Sequence, residues 1–122
     1  MNDLLKKFTS RLSLSEELAG VFMEMGETTI LKRKEYFVRQ GEPCRYLGAV
    51  LKGELRFSHC DADGEERTIG FNTNGFATEY YAFLNHLPAK YSIQAISETV
   101  IYRMTYKQII DLYEYNMEGQ RF

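Results

Sequence analysis

Isolated carboxylates aside, few side chains in this sequence have the chemistry of a catalyst or a metal ligand. They are Cys44, the adjacent pair His59-Cys60, His86, and the acidic run Asp61-Ala62-Asp63-Gly64. Neighbouring residues on a strand point to opposite faces, so His59 and Cys60 are badly placed to hold one ion. Neither cysteine lies in a CxxC or Cys/His ligand spacing, which fits a reducing compartment in which both stay thiols. Cys44 with a histidine would supply a nucleophile and a base, yet no orienting or oxyanion signature surrounds Arg45-Tyr46. The Asp-x-Asp-Gly run lacks the remaining ligands of a calcium loop and reads as a hairpin turn. The expectation is no enzyme and no metal centre.

The elements that position these residues change character along the chain. Leu4, Leu5, Phe8 and Leu12 recur at helical spacing, and Ser13-Leu14-Ser15-Glu16 has the form of a capping box. A second stripe of Leu18, Val21, Phe22 and Met25 runs to Gly26, read as a C-cap. From Thr28 the pattern becomes short β-branched and aromatic runs: 29–31, 36–38, 46–51, 55–60, 67–71, 91–96 and 100–104. Turn residues separate them at Gly41-Glu42-Pro43, Lys52-Gly53-Glu54, Asp61 to Gly64 and Asn72 to Gly75, which predicts local antiparallel pairing. Within the β region, Thr78 to Leu84 reads as a short helix with Thr78 as N-cap, halted by Pro88. Thr105-Tyr106-Lys107-Gln108 is another capping box, opening a helix with Ile109, Leu112 and Tyr113 on its apolar face.

The 122 residues are 44% hydrophobic and 26% charged, and a chain of this length buries enough surface for one core. A single domain over 1–122 is expected: helices over 1–26, a β-roll over 27–104 with the short helix near 78–84, and a helix over 105–122. The formal net charge of −2 does not suit a binder of phosphate backbones, so DNA contact by this chain alone is disfavoured. The opening MNDLLKKFTSRLSL is too charged for a signal sequence, and no apolar run approaches the roughly 18 residues of a membrane span. The expected setting is the cytoplasm, without membrane contact.

Several motifs then stand in a recognisable order. Arg39-Gln40-Gly41-Glu42 precedes an apolar run and Lys52-Gly53-Glu54-Leu55-Arg56; next come Asp63-Gly64-Glu65-Glu66, Asn74-Gly75-Phe76-Ala77-Thr78-Glu79 and Pro88 to Ala95. Over nearly its whole length the chain resembles the cyclic-nucleotide-binding domain, in the form that heads the Crp/Fnr (catabolite activator type) transcription regulators. The resemblance implies a mainly β fold with flanking helices, an antiparallel jelly-roll-like β-roll (double-stranded β-helix). It also implies a phosphate-binding cassette over Gly75 to about Ala95, with Phe76, Ala77, Thr78, Glu79, Tyr80, Lys90, Tyr91 and Ser92 as ligand-binding residues.

In that cassette a short helix aims its N-terminal N–H groups at the cyclic phosphate, a glutamate takes the ribose 2′-hydroxyl and an arginine pairs with the phosphate. Glu79 keeps the carboxylate, Thr78 replaces a glycine, and Ala89 stands where the arginine is expected, with Lys90 one residue on. Lysine lacks the bidentate fork of arginine, and one step along a strand turns it to the other face. Three readings stay open. The cassette has diverged and takes no cyclic nucleotide, or takes a different anion or apolar effector; or it binds cyclic AMP or cyclic GMP weakly through Glu79, the helix N-terminus and Lys90; or Tyr80, Tyr81 and Phe83 fill it as core.

The family's iron–sulfur sensors use a cluster of N-terminal cysteines, and the first 26 residues here contain none; two cysteines fall short of the about four thiolates of a 4Fe–4S cluster. The resemblance further implies a small-molecule effector, a homodimer in a full-length regulator, and DNA contact only through a C-terminal domain not in this sequence. The competing expectation is a stand-alone interaction module with a vestigial pocket.

Overall fold

The computed structural model describes residues 16–73, 75–77 and 80–120. In chain order these form α1 (Glu16–Met25), β1 (Glu27–Leu31), β2 (Tyr36–Val38), β3 (Tyr46–Lys52), β4 (Leu55–Cys60), β5 (Glu66–Asn72), β6 (Gly75–Phe76), α2 (Tyr80–Leu84), β7 (Ser92–Ala95), β8 (Thr99–Thr105) and α3 (Tyr106–Gln120). The stripe from Leu4 to Leu12 and the Ser13 capping box lie outside the described residues.

Two four-stranded antiparallel sheets result, in the orders β1-β8-β3-β6 and β2-β7-β4-β5. The fold is the antiparallel β-roll that the motif order implies. The expected local pairing is corrected: of the ladders, only β4 with β5 joins strands consecutive in sequence. Gly53, at φ 106°, and Gly41, at φ 86°, turn the chain from one sheet to the other, while Gly64, at φ 83°, sits in the β4–β5 hairpin. All three needs call for a left-handed residue, so a glycine in sequence looks the same for each.

The first sheet is covered on both faces. Val50 and Ile101 point to the second sheet and pack with Leu55, Ile93 and Ala95. Leu47, Ala49, Tyr102 and Met104 point the other way, onto Phe83 of α2 and Ile109 and Leu112 of α3. Burial on both faces explains why Leu47 to Val50 reads as a continuous apolar run with no polar alternation.

Gly26 is not a left-handed cap. A Cβ there would stand 2.6 Å from the Arg103 carbonyl oxygen and from the Tyr102 ring, so the residue is small because α1 meets β8 closely. Its N–H donates to the Tyr102 hydroxyl at 3.0 Å.

At the start of α3 the predicted capping box is present. Thr105 Oγ1 accepts from the Gln108 N–H at 3.1 Å, and Gln108 Oε1 accepts from the Thr105 N–H at 2.9 Å. Gln108 Nε2 also donates to the Met25 carbonyl at 2.7 Å, fastening α3 to the end of α1. Among the described residues no helix is long and apolar enough to cross a membrane.

Candidate functional site

The cassette is anchored before and after its helix. β6 pairs with β3 through Ala49 and Val50, and the Ala77 N–H donates to the Gly48 carbonyl at 2.7 Å. Gly48 permits this approach, since a Cβ on it would meet the Phe37 ring at 2.8 Å and Ala77 Cβ at 3.3 Å. Ala77 is buried between the sheets. Thr78 and Glu79, the expected N-cap and ribose carboxylate, lie outside the described residues; Phe76 is placed on β6 and Tyr80 at the start of α2.

The short helix does not run into Pro88. It closes at Leu84 with the Asn85 N–H on the Tyr81 carbonyl and the Leu87 N–H on the Ala82 carbonyl, while His86 takes the left-handed conformation at φ 55°. This six-to-one closure is a Schellman turn, with histidine in the place glycine usually takes. Phe83 is core, but Tyr81 is 68% exposed, so the reading in which Tyr81 helps to fill the pocket as core is corrected at that residue. The cassette helix touches the C-terminal helix through Tyr106, whose ring lies 5.9 Å from Phe83 and 4.3 Å from His86.

Beyond the helix, Pro88 bridges Pro43, the Ala89 N–H donates to the Glu42 carbonyl and the Gly41 N–H donates to the Ala89 carbonyl, both at 2.8 Å. Ala89 is buried, so the position where the arginine is expected holds a methyl group with both backbone groups engaged. Lys90 is exposed, and a bend at Lys90-Tyr91 brings its ammonium to 5.7 Å from the Tyr91 ring centroid. Ser92 takes the other direction: its Oγ accepts from the Gln40 N–H at 2.9 Å, on the sheet face opposite Tyr91.

Strand register adds a residue that the linear sequence does not place at the site. β4 and β7 pair Leu55 with Ala95, Phe57 with Ile93 and Ser58 with Ser92, so the next pair in register is His59 with Tyr91. Their rings meet edge to face at 6.3 Å. His59 also faces Arg67 across the β4–β5 ladder. The signal in sequence is only that Leu55, Phe57 and His59 alternate; which partner they meet depends on a register that no turn residue announces.

Cys60 is exposed on the outer side, its backbone N–H and carbonyl paired with the Gln40 side-chain amide at 2.7 and 2.9 Å. Cys44 is half-buried against the helical core. The Asp61 carboxylate accepts from the Asp63 and Glu65 N–H groups, both at 3.1 Å, which is the work of a turn residue. Among the described residues, no three of His, Cys, Asp and Glu cluster as metal ligands.

The fold recurs in solved structures. The N-terminal domain of a transcriptional regulator from Streptomyces coelicolor A3(2) superposes with a TM-score of 0.84 at 16% identity, over 97% of this chain and 82% of that one. The catabolite activator protein of Thermus thermophilus gives 0.75 at 16% identity, over 84% and 48%. The regulatory domain of Toxoplasma gondii PKA, crystallised with cAMP, gives 0.80 at 20% identity, over 91% and 44%. The chain thus spans about half the length of the last two. No curated protein matches by sequence. Residues 28–116 match the family described as the cyclic nucleotide-binding domain, a stretch that takes in both sheets from Thr28 onward, the segment between β6 and β7 and α3 as far as residue 116. The nested sheets, the helix between β6 and β7 and this match lead to one conclusion: the chain belongs to the cyclic nucleotide-binding domain family.

Proposed function

We propose that this chain is the effector-sensing domain of a Crp/Fnr-type transcription regulator whose phosphate-binding cassette has diverged from tight cyclic-nucleotide binding. The observation that carries the divergence is Ala89, buried and held by backbone hydrogen bonds to Glu42 and Gly41 where a phosphate-pairing arginine is expected. Without that fork the strongest charge-assisted contact to a cyclic phosphate is gone. The regulator reading draws support from the likeness to a catabolite activator protein and to the N-terminal domain of a transcriptional regulator. In such a regulator the domain would work in the cytoplasm as part of a homodimer, contact DNA only through a separate domain, and perform no catalysis.

Signalling in this reading is a population shift. The contacts of Phe83 and His86 with Tyr106 give the cassette helix a direct hold on the start of α3. An effector that binds one placement of α2 more tightly than another therefore biases α3, and one that binds both equally shifts nothing. Calorimetric titration with cyclic AMP and cyclic GMP tests the divergence: no heat up to millimolar ligand is expected. Micromolar binding that disappears in Glu79→Ala would show a working cassette and overturn it.

A further inference from the structure

Along the inner face of the second sheet, burial falls off in one direction. Leu55 and Ala95 are fully buried, Phe57 is half-buried beside Ile93, and His59 and Tyr91 are half-buried at the end of the row, so the roll opens there. Mouths of β-barrels are common places for small ligands. At this mouth stand two rings in edge-to-face contact, an ammonium over one of them, and Arg67 on the neighbouring strand opposite His59.

The two cations are only loosely engaged. Lys90 is exposed, and its contact with the Tyr91 ring is the sort of cation–π pair that contributes little in water. Arg67 reaches Asp61 and Glu65 at 4.0 and 3.9 Å, beyond hydrogen-bond distance, with a side chain that is 71% exposed. Pairs of this kind compete poorly with a bidentate anion. Asp61 is in addition committed to the hairpin N–H groups.

We infer that the row Arg67–His59–Tyr91, closed by Lys90, is a binding site for a planar aromatic anion, with the ligand ring against Tyr91 and His59 and its phosphate or carboxylate held by Lys90 and Arg67. The inference rests on the reading of this roll as an effector domain with a diverged cassette, and it gives the effector a chemical class. The anion is held on the β4, β5 and β7 side of the mouth, by side chains, rather than at residue 89.

Phenyl phosphate is the probe, with phenol and inorganic phosphate as its two halves, followed through the ring resonances of His59 and Tyr91 by NMR. Phenyl phosphate is expected to shift both rings saturably in the millimolar range, and either half alone to bind at least about tenfold more weakly, as a charge-assisted contact plus ring packing requires. Lys90→Gln and Arg67→Gln, both at exposed positions, are each expected to weaken phenyl phosphate about tenfold while leaving the fold unchanged. Shifts confined to residues outside the row, or affinity indifferent to both substitutions, would overturn the site. Such a failure with cyclic AMP silent in calorimetry would leave the diverged cassette standing. Tight cyclic AMP binding lost in Glu79→Ala, with phenyl phosphate still on the row, would overturn the cassette reading and keep the site.

Discussion

At the scale of single residues, three glycines separate two reasons for the same side chain. Gly64 stands in open space at positive φ, so Gly64→Ala meets only backbone strain and is expected to cost about 1 kcal/mol. Gly53 combines positive φ with a Cβ position 2.6 Å from the Glu98 carbonyl oxygen and Thr99 Cα, and Gly26 has the steric conflict without the positive φ. Alanine at either site must displace backbone, for about 2–3 kcal/mol each, read as shifts of the urea midpoint at constant slope. The side chain that Gly26 meets, Tyr102, is the next position to test. Burial raises its phenol above the usual value of 10.0, and the Gly26 N–H donated to its oxygen offsets part of that rise. The folded state holds this proton more tightly than the unfolded chain. Its contribution is therefore intact below pH 10 and is lost as the pH climbs toward the raised folded value. Tyr102→Phe should flatten that part of the stability profile and cost about 1–2 kcal/mol at neutral pH, because the Gly26 N–H loses its acceptor.

At the scale of elements, the capping box of α3 was legible from Thr105 and Gln108 alone, because the motif is local and needs no partner strand. Thr105→Ala is expected to cost about 1 kcal/mol. Gln108→Ala should cost more, since Gln108 also holds the Met25 carbonyl, and circular dichroism during denaturation would show α1 and α3 weakened together. The strands were legible too, within a residue or two, except β6, whose two residues are too few to show alternation. The end of α2 at Leu84 was legible, but its cause was not: Pro88 is a strong breaker, yet the chain had already closed on His86, a residue with no sequence mark of a left-handed cap. The absent arginine at 89 was visible in the sequence, whereas the meeting of His59 with Tyr91 was not. Register between strands 32 positions apart is set by packing, and nothing local records it.

At the scale of the molecule, the pattern of turns foretold many short strands and not how they nest. A glycine that reverses a strand into its neighbour and one that carries the chain across to the other sheet make the same demand on φ, so local pairing was the natural expectation and only the motif order pointed to the roll. The nesting has its outermost layer in β1 and β8, which pair Glu27 with Arg103; an ion pair joins the same two residues, 76 positions apart. β8 also lies between β1 and β3, so the first sheet has no centre until the last strand arrives.

That arrangement sets a clock on synthesis. At roughly 5–20 residues per second, ~4–15 s pass between the emergence of Glu27 and that of Arg103. During that interval Leu47, Ala49 and Val50 have no β8 to pack against. Ribosome-bound chains stopped before Thr99 are expected to be cut readily by protease, with resistance gained in one step once β8 and the α3 residues Ile109 and Leu112 that cover it have cleared the exit tunnel. Gradual gain of resistance as each strand appears would contradict this. A roll closed by its last strand is finished late, and the cell must shelter an open half-sheet for as long as the ribosome takes to deliver the other side.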